Sequence, residues 1–245
     1  EAQLLMLGSH NILNPANGTP ITVPSQDMVL GLYYITKERP NVKGTGMSFY
    51  GPEEVIIALN EKAIDIHAGI NVRLPKDKTN PEAGTELVKT TPGRIIVNQL
   101  APANVPYINE VLGKKSLRKI ISNVIKYTGV ARTAQFLDDI KDLGYTMAFK
   151  GGLSFNLGDV IIPEEKKSLI DNGYNTVEDI KANFAMGFIT NNERYNKVID
   201  LWSSIDNQIT KIVEKQISSD QDGFNPVYMM LDSGARGSTA QIKQL

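Results

Sequence analysis

The last third of the chain carries apolar residues at helical spacing, and this pattern restricts the fold more than any other. Over about 191–218 they recur every three or four positions, as in a coiled-coil seam. Thr190 and Glu193 match the capping box that begins a helix. A similar stripe after Pro163-Glu164-Glu165 predicts an antiparallel helical hairpin, about 163–218, with its tip near Met186–Thr190. The seam residues are Val177, Ile180 and Phe184 in the first arm, and Tyr195, Val198, Trp202, Ile205, Ile209 and Ile212 in the second.

The rest of the chain changes character near Gly113, from mixed helix and strand to helix. Before this point, apolar residues alternate over 64–74 and predict a half-buried strand. Thr85–Thr91 predicts its hairpin partner, across the polar turn Lys76–Gly84. The predicted fold class is therefore α+β and predominantly α-helical. A mixed helix and strand N-terminal part is followed by a helical part with the long antiparallel hairpin.

The helical part is predicted to contain two helices before the hairpin. One apolar face begins near Leu117 and is stopped by Gly129. Thr133 is predicted to cap the second helix. The apolar stripe of the hairpin has two interpretations. Such stripes are most often buried core, but hairpins of this length tend to project and then offer their tip to a partner.

The segment Asn11–Tyr34 combines a constrained turn with a helix start. Its first half is dense in turn-forming residues, including Asn14-Pro15 and Asn17-Gly18. Ser25 is predicted to cap the helix that follows. Gln26 then lies at the mouth of that helix, beside a loop with little conformational freedom. The predicted apolar face of the helix contains Met28, Val29, Leu32 and Ile35.

Composition excludes several classes of function. Lys and Arg total 26 against 27 Asp and Glu, unlike the strongly basic domains that coat nucleic acid. The absence of cysteine excludes disulfides, thiolate zinc sites and a cysteine nucleophile. No apolar run is long enough to cross a bilayer, so no membrane partner is predicted. The first seven residues are typical of a helix that ends at Gly8, and we expect an excised piece of a longer protein.

Local motifs predict no catalytic residue and no metal ligand. His10 and His67 are far apart and lack Ser or Cys partners at motif spacing. The sequence Gly113-Lys114-Lys115-Ser116 resembles the end of a phosphate loop, but Ile108 stands where its first glycine belongs. Asp220-Gln221-Asp222-Gly223 resembles part of a calcium loop without its downstream Glu, which favours a surface turn.

One candidate binding residue remains, in the segment Asp232-Ser233-Gly234-Ala235-Arg236-Gly237-Ser238. Small residues on both sides of Arg236 allow a polyanion to approach the backbone. A guanidinium binds phosphate through paired, charge-assisted hydrogen bonds. The alternative is that Arg236 only braces the turn through Asp232.

Five blocks of the sequence resemble one protein family, and they occur in the same order as in that family. They are Ile12–Gly18, Val23–Tyr34, Leu112–Lys115, Glu193–Trp202 and Tyr228–Ser238. Together they resemble the largest subunit of bacterial RNA polymerase, the β′ subunit, over nearly the whole chain. The resemblance implies the pore and funnel region that follows the magnesium-binding Asp loop and lines the secondary channel for nucleoside triphosphates. It implies a pore-type α+β domain over 1–110 and a funnel-type helical domain over 111–245.

The resemblance also implies an activity and a setting. The intact enzyme would be a DNA-directed nucleotidyltransferase, working in transcription in the cytoplasm at the nucleoid. Its partners would be the β, α, ω and σ subunits, with DNA, RNA and nucleoside triphosphates. Mg²⁺ would be bound by residues outside this chain, so the chain alone is expected to be inactive.

Specific residues follow from the same resemblance. Arg236 would face the incoming triphosphate. Asn14, Asn17 and Gln26 would stand near the active centre as its wall and support. The hairpin would receive transcript-cleavage factors at its arms.

Some relatives bind a guanosine tetraphosphate alarmone beside the helix after Gly129. Here only Asp138 matches, since Ala131, Gln135 and Asp142 replace the residues used there, and we do not expect that site. A second hypothesis from another class is a non-catalytic helical protein-interaction module. An Asp-x-Asp-x-Asp run preceding Glu1 in the parent gene would favour the polymerase.

Overall fold

The computed structural model describes residues 1–8, 11–76, 84–242 and 244. Contacts between Cα atoms divide the chain into two compact units. The first contains Glu1–Ser154 and Met229–Gly237, and the second contains Phe155–Tyr228 and Ser238–Leu245. The fold class is α+β and mainly helical, as the sequence predicts. The domain boundary expected near residue 110 falls inside the first unit and stays a prediction.

The first unit begins with a π-helical turn (Ala2–Met6) and the helix α1 (Asp27–Thr36). The predicted cap of α1 at Ser25 is wrong. Gln26 is the N-cap, with φ of 50° and ψ of −124° and no capping hydrogen bond from its side chain. The chain turns at Gln26, so Ser25 contributes its carbonyl rather than its hydroxyl, and accepts a hydrogen bond from the Met28 amide at 3.2 Å.

A small sheet and two short helices form one core of this unit. The strands are β1 (Ser48–Phe49), β2 (Ile70–Pro75) and β3 (Thr85–Thr90), and the helices are α2 (Pro52–Asn60) and α3 (Pro92–Leu100). Strand β1 pairs with β2 in parallel and β2 with β3 antiparallel. The core consists of Phe49, Val55, Ile64, Ala68, Ile70, Val72, Leu74 and Ile95.

The structure corrects the start of the predicted strand. Residues 64–69 are not strand, and β2 begins at Ile70. Ile64 and Ala68 are nevertheless buried in the same core. The alternating apolar pattern therefore indicates burial here, without strand pairing. The hairpin with β3 is confirmed, with Val72 opposite Val88. Of the predicted turn Lys76–Gly84, residues 77–83 lie outside the described residues.

The long helix α4 (Lys114–Gly151) packs against α1 and forms the second core of the unit. It is interrupted only at Gly129, where φ is 77° and ψ is 178°. The predicted cap at Thr133 is wrong, because the helix resumes at once and the Thr133 hydroxyl donates to the Gly129 carbonyl, 2.7 Å away, inside it. The two helices approach closely at glycines. A Cβ on Gly144 would lie 2.6 Å from the Met28 carbonyl oxygen, and one on Gly31 would overlap the Gly144 carbonyl.

The second unit is built on the predicted helical hairpin. Its arms are α5 (Glu165–Ala185) and α6 (Asn191–Ser219). The capping box is confirmed, since the Thr190 amide donates to Glu193 Oε2 at 2.7 Å and the Glu193 amide donates to Thr190 Oγ1 at 3.3 Å. The remaining elements are two 3₁₀ turns (Leu157–Asp159 and Asp220–Gly223), α7 (Pro226–Asp232) and α8 (Thr239–Ile242). The part of α7 from Met229 onward belongs to the first unit.

The seam of the hairpin is as predicted in its middle and shifted at its tip. Val177 and Ile205 are buried, and the Trp202 ring meets the Tyr174 ring edge-on at 5.2 Å. Tyr195 was predicted in the seam, but its residue is 63% exposed. The Arg194 guanidinium lies over the Phe184 ring instead, 4.6 Å from its centroid, so the contact is displaced by one residue.

Candidate functional site

The turn that carries Arg236 follows α7 and belongs to the first unit. Gly234 and Gly237 have φ of 69° and 84°, a region that favours glycine. Within the turn, the Arg236 amide donates to the Met230 carbonyl at 3.3 Å, and the Ala235 amide donates to Ser233 Oγ at 3.2 Å. The backbone of the turn is therefore fixed, while the Arg236 side chain remains 56% exposed.

The carboxylate of Asp27, the first residue of α1, is the partner of Arg236. Nη2 of Arg236 lies 3.3 Å from Oδ1 and 3.4 Å from Oδ2 of Asp27. The alternative interpretation paired Arg236 with Asp232, and the structure pairs it with Asp27 instead. Asp232 Oδ2 instead accepts a hydrogen bond from the Tyr33 hydroxyl at 2.5 Å. Helix α1 therefore holds the turn at two points.

A lysine extends the second of these contacts. Lys37 Nζ donates to the Tyr33 hydroxyl at 3.1 Å, and the Tyr33 hydroxyl donates to Asp232. Burial lowers the pKa of Lys37, and the negative charge of Asp232 opposes that shift. Tyr33 is thus held between a cation and a carboxylate, and this fixes the start of the turn relative to α1.

The structure places Gln26 close to this pair, because it directly precedes Asp27. Its φ of 50° is rare for a residue with a side chain. Backbone strain of this kind concentrates at functional sites, where the surrounding structure maintains it. The role of Gln26 in an active-centre wall stays a prediction.

Asn14 and Asn17 lie in a turn closed by a bridge between Leu13 and Pro20. The Asn14 Oδ1 accepts from the Ala16 amide at 2.9 Å, and the Asn17 Oδ1 accepts from the Thr19 amide at 3.1 Å. Both side-chain oxygens therefore stabilise the turn itself. Among the described residues, neither asparagine forms a hydrogen bond with Asp27 or Arg236.

An open cleft of about 700 Å³ lies beside the turn, within the first unit. The N-terminal end of α4 forms one wall, where the Lys114 amide donates to the Ser233 carbonyl at 2.9 Å. Lys114, Lys115 and Arg118 line this wall, and none forms an ion pair within the described ranges. Their uncompensated charge favours an anionic ligand. The sequence did not predict this cleft, because α1, α4 and the turn are far apart along the chain.

Comparisons with known proteins agree with one another. The model of RNA polymerase Rpb1, domain 3, matches residues 11–160, and that of Rpb1, domain 4, matches residues 189–245. The DNA-directed RNA polymerase subunit beta′ of Parabacteroides distasonis is 63% identical over 245 residues, which is 100% of this chain and 17% of the relative. The β′ subunits of Bacteroides fragilis (strain YCH46) and Flavobacterium johnsoniae are 62% and 55% identical, with the same coverage.

The chain belongs to the β′ subunit family of DNA-directed RNA polymerase. It spans about one sixth of the length of these curated relatives, at 17%. The family resemblance expected from the five sequence blocks is thereby confirmed.

The described part of this β′ segment contains no group of three or more His, Asp or Glu side chains that could hold a metal ion. His67 is buried, with Nδ1 2.9 Å from the Lys37 carbonyl oxygen, and burial lowers its pKa. His10 lies outside the described residues. No helix in the described ranges is long and apolar enough to cross a membrane.

The tip of the hairpin exposes a group of large apolar side chains, which we call the tip patch. It lies on the last turn of α5, the connecting loop and the first turns of α6. A cluster of exposed apolar groups is typical of a docking surface. The patch consists of Phe184, Met186, Phe188, Tyr195 and Ile199.

Proposed function

We propose that this β′ segment lies beside the active centre of the polymerase and lines the secondary channel through which nucleoside triphosphates enter. Arg236 contacts the triphosphate of the incoming nucleotide. One observation carries this proposal. Asp27 engages only Nη2 of the guanidinium, and Nη1 and Nε donate to no residue in the described part of the chain. These N–H groups are available to phosphate oxygens.

The whole subunit then acts in template-directed RNA synthesis, as a nucleotidyltransferase. Mg²⁺ is bound elsewhere in the subunit, and the 245-residue chain alone is inactive. The β, α, ω and σ subunits, DNA and RNA are the partners of the assembled enzyme in the cytoplasm, at the nucleoid. Residues 1–110 form the pore-type domain and 111–245 the funnel-type domain. Gln26, Asn14 and Asn17 support the wall of the active centre.

Substitution of Arg236 in the assembled polymerase tests the triphosphate contact. Arg236→Ala removes charge-assisted hydrogen bonds, so the half-saturating nucleotide concentration rises by about tenfold to hundredfold. Arg236→Lys keeps the charge without the planar donor geometry and gives a smaller rise. Single-nucleotide addition across a substrate titration measures both. Arg132→Ala is the matched control, because Arg132 donates to Gln135 on the surface of α4.

An unchanged half-saturation point in Arg236→Ala refutes the triphosphate role. If the residue only stabilises the turn, the rate falls at every nucleotide concentration and excess substrate does not restore it. Affinity for duplex DNA is expected to stay unchanged, because Arg236 faces the channel rather than the template.

The tip patch supports a second role for the segment. Its exposed aromatic and aliphatic side chains form a docking surface for transcript-cleavage factors. The hairpin is then an interaction element inside a catalytic subunit, which joins the two functions that the sequence left as alternatives.

A further inference from the structure

We propose that Asp27 is a positioning residue for Arg236. Its carboxylate holds one terminal nitrogen of the guanidinium, so that the remaining donors face the triphosphate. This inference depends on the proposed function of Arg236 and names a residue that neither the sequence nor the family comparison assigns.

The geometry of the pair suits positioning better than neutralisation. Both Asp27 oxygens approach the same nitrogen, Nη2, at 3.3 and 3.4 Å. A paired arrangement would engage two guanidinium nitrogens, one for each oxygen. Here Nη1 and Nε keep their N–H groups, so a phosphate can bind without displacing the carboxylate. Asp27 and Arg236 are half exposed, at 50% and 56%, and solvent reaches the site.

Both ends of the pair are fixed by packing and by backbone hydrogen bonds. On the α1 side, Val29 and Leu32 are fully buried, and Gly31 lies against Gly144 of α4. On the turn side, the Arg236 amide is bonded to the Met230 carbonyl. The ion pair therefore joins two rigid elements whose residues are 209 positions apart.

The backbone of Gln26 is a second, independent observation. A side-chain-bearing residue at φ of 50° and ψ of −124° is strained. Its side chain makes no capping hydrogen bond to α1, so the conformation is not explained by a helix cap. It does set the direction in which α1 begins, and hence the place of Asp27. Such strain at Gln26 is expected if the position of Asp27, and through it the orientation of Arg236, matters for function.

Two opposing effects decide whether loss of Asp27 weakens or strengthens nucleotide binding. A free arginine side chain loses rotamer freedom when it binds phosphate, and Asp27 removes most of that freedom beforehand. The Asp27 charge also repels the triphosphate, but water and salt screen charges on opposite edges of an exposed guanidinium. The ordering effect is the larger one, so loss of Asp27 weakens nucleotide binding.

The test uses the assembled polymerase and single-nucleotide addition kinetics. Asp27→Ala raises the half-saturating nucleotide concentration by about three- to tenfold, with little change in maximal rate. Asp27→Asn keeps an oxygen beside Nη2 and gives a smaller rise. In an Arg236→Ala background, Asp27→Ala adds nothing further. Asp138→Ala is the control, because Asp138 forms an exposed pair with Lys141 at 3.2 Å on α4.

The outcomes separate this inference from the proposed function. If Arg236→Ala raises the half-saturation point but Asp27→Ala leaves it unchanged or lowers it, Asp27 does not position Arg236, and the triphosphate contact still stands. An equal rise from Asp27→Ala in both backgrounds shows a structural effect of α1 and also overturns the inference. If Arg236→Ala has no effect, both proposals are wrong.

Discussion

At the scale of single residues, Gln26 has a strained backbone whose cost in stability can be measured. Glycine adopts φ of 50° without strain, whereas alanine bears the same strain as glutamine. We predict that Gln26→Gly is more stable than Gln26→Ala by about 1 kcal/mol, after the entropy of the unfolded chain is included. The urea midpoint and hydrogen exchange of the α1 amides measure this difference. Equal stability of the two variants would show that Gln26 is not strained.

A second residue, His67, gives the first unit a pH-dependent stability. Burial is the main cause of its lowered pKa, and its hydrogen bond to the Lys37 carbonyl only partly opposes the shift. In the unfolded chain His67 therefore binds a proton near the ordinary pKa of 6.5, at a pH where the folded chain leaves it neutral. The stabilisation is fully present above that value and is lost as the pH falls through the folded pKa.

The His67 effect is measured as a difference from a variant. Urea unfolding of wild type and of His67→Gln is compared between about pH 5 and pH 8, because glutamine keeps a donor and does not titrate in that range. Wild type is expected to lose more stability than the variant on acidification. Identical pH profiles would show that His67 does not titrate differently in the folded and unfolded states.

At the scale of elements, two substitutions in the hairpin separate stability from docking. Trp202 packs over Gly173 and against Tyr174, so Trp202→Ala is expected to cost about 3 kcal/mol. Phe188 is 73% exposed, so Phe188→Ala is expected to change stability by less than about 0.5 kcal/mol. We predict that both weaken factor-stimulated transcript cleavage and leave basal elongation largely unchanged.

Circular dichroism reports the stability of the hairpin variants, and cleavage assays with increasing factor concentration report docking. Ser203→Ala, at an exposed position of α6, is the control. Cleavage that is unaffected by Phe188→Ala would show that the tip patch is not the docking surface.

The elements also show which features the sequence could predict. The capping box at Thr190 and Glu193 is local, so the start of α6 was predictable to the residue. The predicted strand is confirmed over β2 but was expected to begin too early, at Ile64, because apolar residues two apart are buried in the preceding loop as well as in β2. The exposure of Tyr195 depends on how the Arg194 guanidinium lies over Phe184, and apolar periodicity does not encode that contact.

The candidate site was predictable only in part, for a related reason. The glycines around Arg236 predicted an accessible turn, and the structure has such a turn. The Asp27 partner and the Lys114 side of the cleft come from segments brought together by the packing of α1 on α4. Close approach at Gly31 and Gly144 makes this packing possible, and no local motif marks that pair.

At the scale of the whole molecule, this chain is a segment that spans about one sixth of the length of its β′ relatives, at 17%. The first unit contains a turn fixed by backbone hydrogen bonds, the half-exposed guanidinium of Arg236 and a basic cleft, and the second unit contains a hairpin with an exposed tip patch. Under the proposed function, this segment would bind and orient the nucleotide, and bond formation would depend on groups elsewhere in the subunit.

Photo-crosslinking in the assembled polymerase tests the proposed contact between Arg236 and the triphosphate most directly. A nucleoside triphosphate with a photoreactive group on its γ-phosphate is irradiated in the enzyme, and the labelled peptides are mapped by mass spectrometry. Excess unmodified nucleotide should abolish specific labelling. We predict that label from this segment falls within Met229–Gly237, beside Arg236. Label confined to α5 and α6, or absent from the segment, would contradict it.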